Sequence, residues 1–200
     1  MANLRARRGI GACSRAGWLQ WQPFAAATGN STTTDKGTSM SLDSSVWLFQ
    51  SLYAVGLAIW LTIAVIDNLR GFRELVHAVG VTMSMTSLQQ PPAIHSILSE
   101  RALTSVRWHR LAVSVLLVLK CVALLACWIG CYLLLIGGGL DQARPWLNVA
   151  LSAFTGCLLA MHLGGLWFAY WIREDDLQRG HLALLIWTLG SFFLFNGRWA

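Results

Sequence analysis

Charged side chains are scarce in this sequence. Asp and Glu number only nine among 200 residues, and charged residues of both signs make up 12%, against about 25% in a typical soluble domain. Hydrophobic residues make up 56%, and the mean hydropathy is +0.54. The chain therefore lacks the polar surface to cover a globule in water, which excludes a soluble domain, a disordered chain and a disulfide-bonded scaffold. This composition indicates an integral membrane protein.

Recognisable catalytic and nucleic-acid-binding motifs are also missing. The sequence has no glycine-rich phosphate loop, no nucleophile elbow and no His-Glu-x-x-His. Four of the five cysteines lie in apolar runs, where thiols behave as small apolar residues, so we predict no metal site. Arginines that face anionic lipid account for the net charge of +6 without a nucleic-acid partner. These absences favour a non-enzymatic protein.

Long apolar runs are what the sequence does contain. A helix needs about 20 mostly apolar residues to cross the hydrocarbon core, and irregular backbone is not stable facing lipid. We therefore predict an all-α fold that is a four-helix transmembrane bundle. The predicted spans are residues 46–66, 111–136, 146–171 and 181–196, of which the last is the shortest.

Two segments differ from these runs. Residues 1–45 are rich in Arg, Gly, Ser and Thr with little hydrophobic periodicity, so we predict a disordered tail before a membrane domain at 46–200. The loop 67–110 has apolar residues at helical spacing on both sides of Pro91-Pro92. We expect two short amphipathic helices there, lying at the membrane interface.

An even number of spans places both ends of the membrane domain on one side. We name this side face A, where the first span begins, and the opposite side face B. Lys and Arg near the span ends are more frequent at face B, which favours a cytoplasmic face B. The arginines of the tail equalise the two faces, so both orientations stay open. We expect a multi-pass membrane protein.

Two polar residues interrupt the apolar runs at similar depth. Lys120 and His162 each lie nine residues from the face B end of their predicted span, or about 13–14 Å at 1.5 Å per residue. A Lys at the helix centre costs about 2.5–3.5 kcal/mol, so it needs a partner or a path to water. Lys120 is either neutral and hydrogen-bonded to His162 or to a backbone carbonyl, or part of a pocket for a small anion or lipid headgroup.

Histidines also raise the question of haem. A haem site needs two histidines on facing helices at matching depth. His162 has no such partner within the spans, and only His109 and His181 at the face B boundary form a conceivable pair. We predict no cofactor, with haem b at this pair as the alternative.

Small residues follow one stripe of the third predicted span. Such residues allow close approach of helix backbones in membranes, so we expect a neighbouring helix against this stripe. The stripe consists of Ser152, Gly156, Ala160 and Gly164.

Several local motifs resemble those of one uncharacterised family. They are Ala64–Leu69, Val76-His77, Met83–Met85, Ile129-Gly130 and Gly164–Trp171. From about residue 46 to 196 the sequence resembles a family of predicted small bacterial integral membrane proteins with four transmembrane helices, a domain of unknown function. The resemblance implies a fold and a location in the bacterial inner membrane, but no activity. Its motif residues here are Asn68, His77, Gly165, Trp167 and Phe168.

Three hypotheses about function follow. The first is a non-enzymatic subunit or scaffold that interacts through its helix faces with other membrane subunits or with a second copy. The second is a small transporter or ligand-binding protein that uses a pocket at Lys120 and His162. The third is a redox anchor that binds haem at His109 and His181.

Overall fold

The computed structural model describes residues 41–197, and this part of the chain is almost entirely helical. It contains six α-helices, two 3-10 turns and no strand. The α-helices are α1 (Leu42–Arg70), α2 (Phe72–Met83), α3 (Thr86–Gln89), α4 (Val106–Leu135), α5 (Leu140–Trp167) and α6 (Asp175–Asn196). The 3-10 turns are Ile97–Arg101 and Tyr170–Ile172.

Three of the described helices, α1, α4 and α5, are long and apolar enough to cross a membrane. They contain 29, 30 and 28 residues, and at 1.5 Å per residue each is longer than a hydrocarbon core of about 30 Å. The helix α6 is not among them, and its first turns carry Asp175, Asp176 and Arg179. Three predicted spans are therefore confirmed as helices of membrane-crossing length, and the fourth stays a prediction.

The helix ends differ from the predicted span ends. Each long helix begins before its apolar run, because polar side chains are stable in the interfacial turns of a membrane helix. In α1 the first turn takes residues 42–45 from the predicted tail, and the Ser41 hydroxyl accepts a hydrogen bond from the Ser44 amide. The earlier part of that tail lies outside the described residues. At the other end, α5 stops at Trp167 rather than at 171, because Ala169 adopts a left-handed conformation with φ 54°.

The pair α4–α5 forms the centre of the bundle, with α1 packed on α4 and α6 packed on α5. A glycine permits the closest approach within this pair. A Cβ at Gly130 would lie 2.7 Å from Cδ2 of Leu147, which is too close for any other residue without movement. The core residues around this contact include Ala54, Leu57, Leu61, Cys127, Leu151, Phe154, Leu158 and Phe195.

The first half of the loop 67–110 is helical, as predicted. Val76 and Gly80 of α2 are buried, and α2 packs on α4. The second amphipathic helix expected after Pro91-Pro92 is wrong, since that region contains only the short turn Ile97–Arg101, in which no residue is buried. The physical reason is that prolines cannot continue a helix and that α4 takes the end of the loop from Val106 onward, which leaves a segment too short for another stable helix.

Polar side chains join α6 to its neighbours at face A. The side-chain amide of Gln50 donates to the carbonyl oxygen of Leu194 at 2.9 Å. The amides of Asn148 and Asn196 exchange hydrogen bonds of 2.9 and 2.7 Å. These contacts fix the end of α6 against the beginnings of α1 and α5.

A candidate ligand cavity

A cavity of about 490 Å³ lies between the face B halves of the helices. The helices α2, α4, α5 and α6 form its walls, and apolar side chains cover most of the surface, as in many small-molecule sites. Among the described residues, no Asp or Glu lines it. Its polar lining residues are Asn68, Thr82, Lys120, Tyr170 and His181.

Lys120 brings a cationic side chain to this cavity. It lies in the middle of α4, is half-buried, and makes no hydrogen bond or ion pair with any residue that the structure describes. A lysine at this depth is unfavourable unless a polar group or water compensates it. The cavity therefore presents a cation without a counter-ion from the described chain.

His162 does not line the cavity itself, but it forms a hydrogen bond with Tyr170, which does. Its Nδ1 lies 2.8 Å from the hydroxyl of Tyr170, which follows the end of α5. Burial raises the pKa of the Tyr170 phenol above its ordinary value, so the hydroxyl stays protonated. The direct hydrogen bond between Lys120 and His162 that the sequence suggested is not formed, and Tyr170 occupies the position of partner.

The imidazole of His181 has an unsatisfied polar atom. Its buried Nδ1 has no hydrogen-bond partner within residues 41–197. Its ring stacks on that of Tyr170, with centroids 6.0 Å apart and an interplanar angle of 24°, and Lys120 and His162 lie within electrostatic range. Because an unpaired buried polar atom costs about 1–3 kcal/mol, a ligand or water that bonds to Nδ1 would stabilise the site.

The turn after α5 holds Tyr170 in place. Ala169, which is fully buried, turns the chain back toward the helix. The Tyr170 ring then lies so close to Gly165 that a Cβ there would be 2.6 Å from Cε2. Only glycine fits at Gly165 without displacing the ring, which gives this motif residue a structural reason.

The other family-motif residues fall in several places. Trp167 is exposed, with the guanidinium of Arg101 4.5 Å from its ring centroid, which is a cation–π contact. His77 lines a different cleft, on the other side of α2. The motif residues that line the cavity are Asn68, Gly165 and Phe168.

The two haem candidates do not share a cavity. His181 lines the cavity described above, whereas His109 lines the cleft on the other side of α2. His109 is buried, and its Nε2 lies 2.7 Å from the carbonyl oxygen of Leu103. Haem ligation by this pair stays a prediction, and an absorption spectrum without a Soret band would exclude it. Within the described residues, no group of three or more His, Cys, Asp or Glu side chains could hold a metal ion.

The small-residue stripe of α5 divides into two halves. Ser152 is exposed, and a Cβ at Gly156 would meet nothing within 4 Å. Ala160 and Gly164 line the cavity, and a Cβ at Gly164 also meets nothing within 4 Å. No helix of residues 41–197 therefore packs closely on these glycines, and the stripe leaves space instead.

Sequence reasoning did not single out Tyr170 or Thr82. Thr82 lies outside the predicted spans, and Tyr170 lies in the last turn of the third predicted span, where an aromatic residue near the interface is ordinary. Its place in the Gly164–Trp171 motif was the one available signal for Tyr170, but the contact of its hydroxyl with His162 depends on the reverse turn at Ala169.

Helices of membrane-crossing length around an apolar cavity define an all-helical integral membrane protein. The family model described as predicted small integral membrane protein (DUF2165) matches residues 46–197. The chain belongs to this family, whose function is unknown. Neither a curated protein nor a solved structure matches the chain.

Proposed function

We propose that the chain is a four-span protein of the bacterial inner membrane. The support for a fourth span is the course of α6, whose 22 residues extend about 33 Å at 1.5 Å per residue. At its face B end, the Thr82 hydroxyl donates to Oε2 of Glu174 at 3.2 Å, and at its face A end Asn196 bonds to Asn148. Helical spans are typical of inner membranes, since outer-membrane proteins are mostly barrels, and the bacterial source rests on the family resemblance.

We further propose that the protein is non-enzymatic and binds a small amphiphile in the cavity around Lys120. The observation that carries this proposal is a lysine without a counter-ion on the wall of an apolar cavity. An intramembrane ionisable residue marks a functional site by default. Apolar walls suit a hydrocarbon chain, and the ammonium group suits an anionic head.

Neighbouring polar groups complete the site for such a head. The Nδ1 of His181 is free to bond, and Asn68 provides a further polar group on the cavity wall. A carboxylate beside the Lys120 ammonium would form a charge-assisted hydrogen bond, about twice as strong as a neutral one. We expect His162 to support this site indirectly, by holding the Tyr170 hydroxyl.

The test uses decanoate as the probe, with the purified chain in detergent and native mass spectrometry as the readout. We expect Lys120→Met to weaken decanoate binding by about tenfold or more, because a hydrogen bond to a charged group contributes about 1.5–3 kcal/mol. Val118→Met, at an exposed apolar position of the same helix, is the matched control and should bind like the wild type. Decanol should bind both variants equally. Equal decanoate binding by wild type and Lys120→Met would refute the proposal.

A second candidate function is that of a subunit or scaffold. The half of the α5 stripe nearer face A, Ser152 and Gly156, favours this function. These small side chains allow close approach of another helix, and no helix of the described chain packs closely on Gly156. Association with a second copy or another membrane subunit would cover this surface. Purification in mild detergent tests it, and Gly156→Leu should then release a partner that the wild type retains. A wild-type chain that runs as a monomer without partners would count against this function.

A further inference from the structure

A second cleft, of about 470 Å³, lies on the opposite side of α2 from the cavity. It is bounded by α2 and by the first turns of α4. The separation is complete along α2, since Val79 and Thr82 line the cavity whereas Arg73 and His77 line the cleft. The cleft is therefore distinct from the cavity, and a ligand in the cleft does not depend on a ligand in the cavity.

The cleft brings together nitrogen-bearing side chains from two helices, and two of these side chains are arginines. Arg73 comes from α2, His77 follows it one turn later, and Arg110 comes from α4. No carboxylate from the described chain lines the cleft. Neither arginine makes a hydrogen bond or ion pair with any residue between 41 and 197. Two guanidinium groups in one cleft favour an oxyanion that accepts several hydrogen bonds, and phosphate matches their planar geometry.

Two of the three hydroxyl groups that line the cleft, those of Ser84 and Thr86, are already engaged, whereas that of Thr104 is not. Ser84 donates to the carbonyl oxygen of Gly80 at 2.7 Å, and the Ser84 and Thr86 hydroxyl oxygens lie 2.6 Å apart. The principal donors left for a ligand are thus the two guanidinium groups. Because the two guanidinium groups are cationic, the cleft favours an anionic ligand over a neutral hydrogen-bonding one.

The position of the cleft along α4 matches the depth of lipid phosphates. Arg110 is the last charged residue before the apolar run that begins at Leu111. Val118 and Leu125 of α4 are more than half exposed and do not line the cavity, and Phe72 and Val106 form apolar edges of the cleft itself. A phosphate held by the arginines would have an apolar surface directly below it, where acyl chains lie.

We infer that this cleft binds the phosphate group of an anionic phospholipid. Arg73 and Arg110 hold the phosphate from two helices, and the acyl chains follow the exposed apolar surface of α4. Basic pockets between membrane helices are a recurring form of lipid headgroup recognition. The adjoining apolar surface assigns the phosphate to a membrane lipid rather than to free phosphate.

The experiment compares two pairs of arginines in the purified full chain. Native mass spectrometry measures retention of phosphatidylglycerol and phosphatidylcholine supplied in equal amounts. We expect one phosphatidylglycerol to be retained preferentially, and the double variant R73Q/R110Q to weaken its binding by about tenfold or more. The control R70Q/R107Q removes the same charge from α1 and α4 at residues that do not line the cleft, and should change binding by less than about twofold.

The alternatives give different results. Equal loss in both double variants would show diffuse surface attraction and overturn the inference, as would no loss in either. Competition by inorganic phosphate, without preference for phosphatidylglycerol, would assign the cleft to free phosphate and overturn the lipid. Because both cleft arginines are exposed, we expect the same thermal unfolding for all variants. If the double variant does not fold, R73Q and R110Q singly make the same comparison against R70Q and R107Q.

Discussion

Gly164 and Gly165 are neighbours in α5, but a methyl group added to each meets different surroundings. At Gly164 nothing lies within 4 Å, whereas at Gly165 three atoms of the Tyr170 ring lie between 2.6 and 2.8 Å. One glycine leaves space in the cavity, and the other lets the ring of Tyr170 approach the helix. The ring in turn positions the hydroxyl that bonds to His162.

This contrast gives a matched pair of variants. We expect Gly165→Ala to lower the free energy of unfolding in detergent by about 1–3 kcal/mol, because the added methyl group displaces a packed ring. Gly164→Ala should raise it by about 0.5–1 kcal/mol, since alanine is the better helix former. Titration of folded protein with a denaturing detergent measures both. Equal effects of the two substitutions would contradict the packing of Tyr170 against Gly165.

At the scale of elements, α5 has two different surfaces at its two ends. Toward face A it is packed on α4, with Leu147 against Gly130. Toward face B its small residues Ala160 and Gly164 form part of the cavity wall. The stripe that the sequence predicted as a packing surface therefore serves, in this half, to keep a volume open.

A larger side chain at Gly164 would fill the cavity, so that loss of ligand binding can be measured separately from loss of folding. Gly164→Leu should abolish decanoate binding while the chain still folds, because the added side chain begins in open space and extends into the cavity. Gly156→Leu, two turns earlier and equally open but not part of the cavity wall, is the control and should bind decanoate normally. Native mass spectrometry and thermal unfolding provide the two readouts. Normal binding by Gly164→Leu would show that decanoate does not occupy this cavity.

At the scale of the whole molecule, the number of spans decides the topology. Four spans place the beginning of α1 and the end of α6 on the same side of the membrane, whereas three would place them on opposite sides. The polar contacts of α6 at both of its ends, through Glu174 and Asn196, support four.

Single cysteines in sealed vesicles distinguish three spans from four. In a chain whose native cysteines are replaced by alanine, we expect Gly197→Cys to react with a membrane-impermeant thiol reagent from the same side as Asp141→Cys. Glu100→Cys, in the long face B loop, should react only from the other side. Gly197 lies just beyond the end of α6, Asp141 is exposed in the first turn of α5, and Glu100 is exposed in the 3-10 turn of the loop. Labelling of Gly197→Cys together with Glu100→Cys would show that α6 does not cross the membrane.

The apolar helices were predictable because their signal is local. A stretch such as residues 46–66 contains no charged side chain, and lipid leaves the backbone of such a stretch no stable alternative to a helix. The site was predictable only in part. Lys120 was identified by the cost of its charge, but its distance from His162 and the intervening Tyr170 depend on the turn at Ala169.

The sequence by itself determined the solvent of this protein, since a composition with so few charged residues requires lipid around its long helices. It also identified Lys120 as a charged residue within an apolar span that needs a polar partner or water. Tertiary structure alone decided what surrounds Lys120, that α2 separates a cavity from a basic cleft, and that small residues of α5 leave space rather than fill it. The reason is that hydropathy depends on the residues of one segment, whereas a cavity depends on the relative positions of several helices.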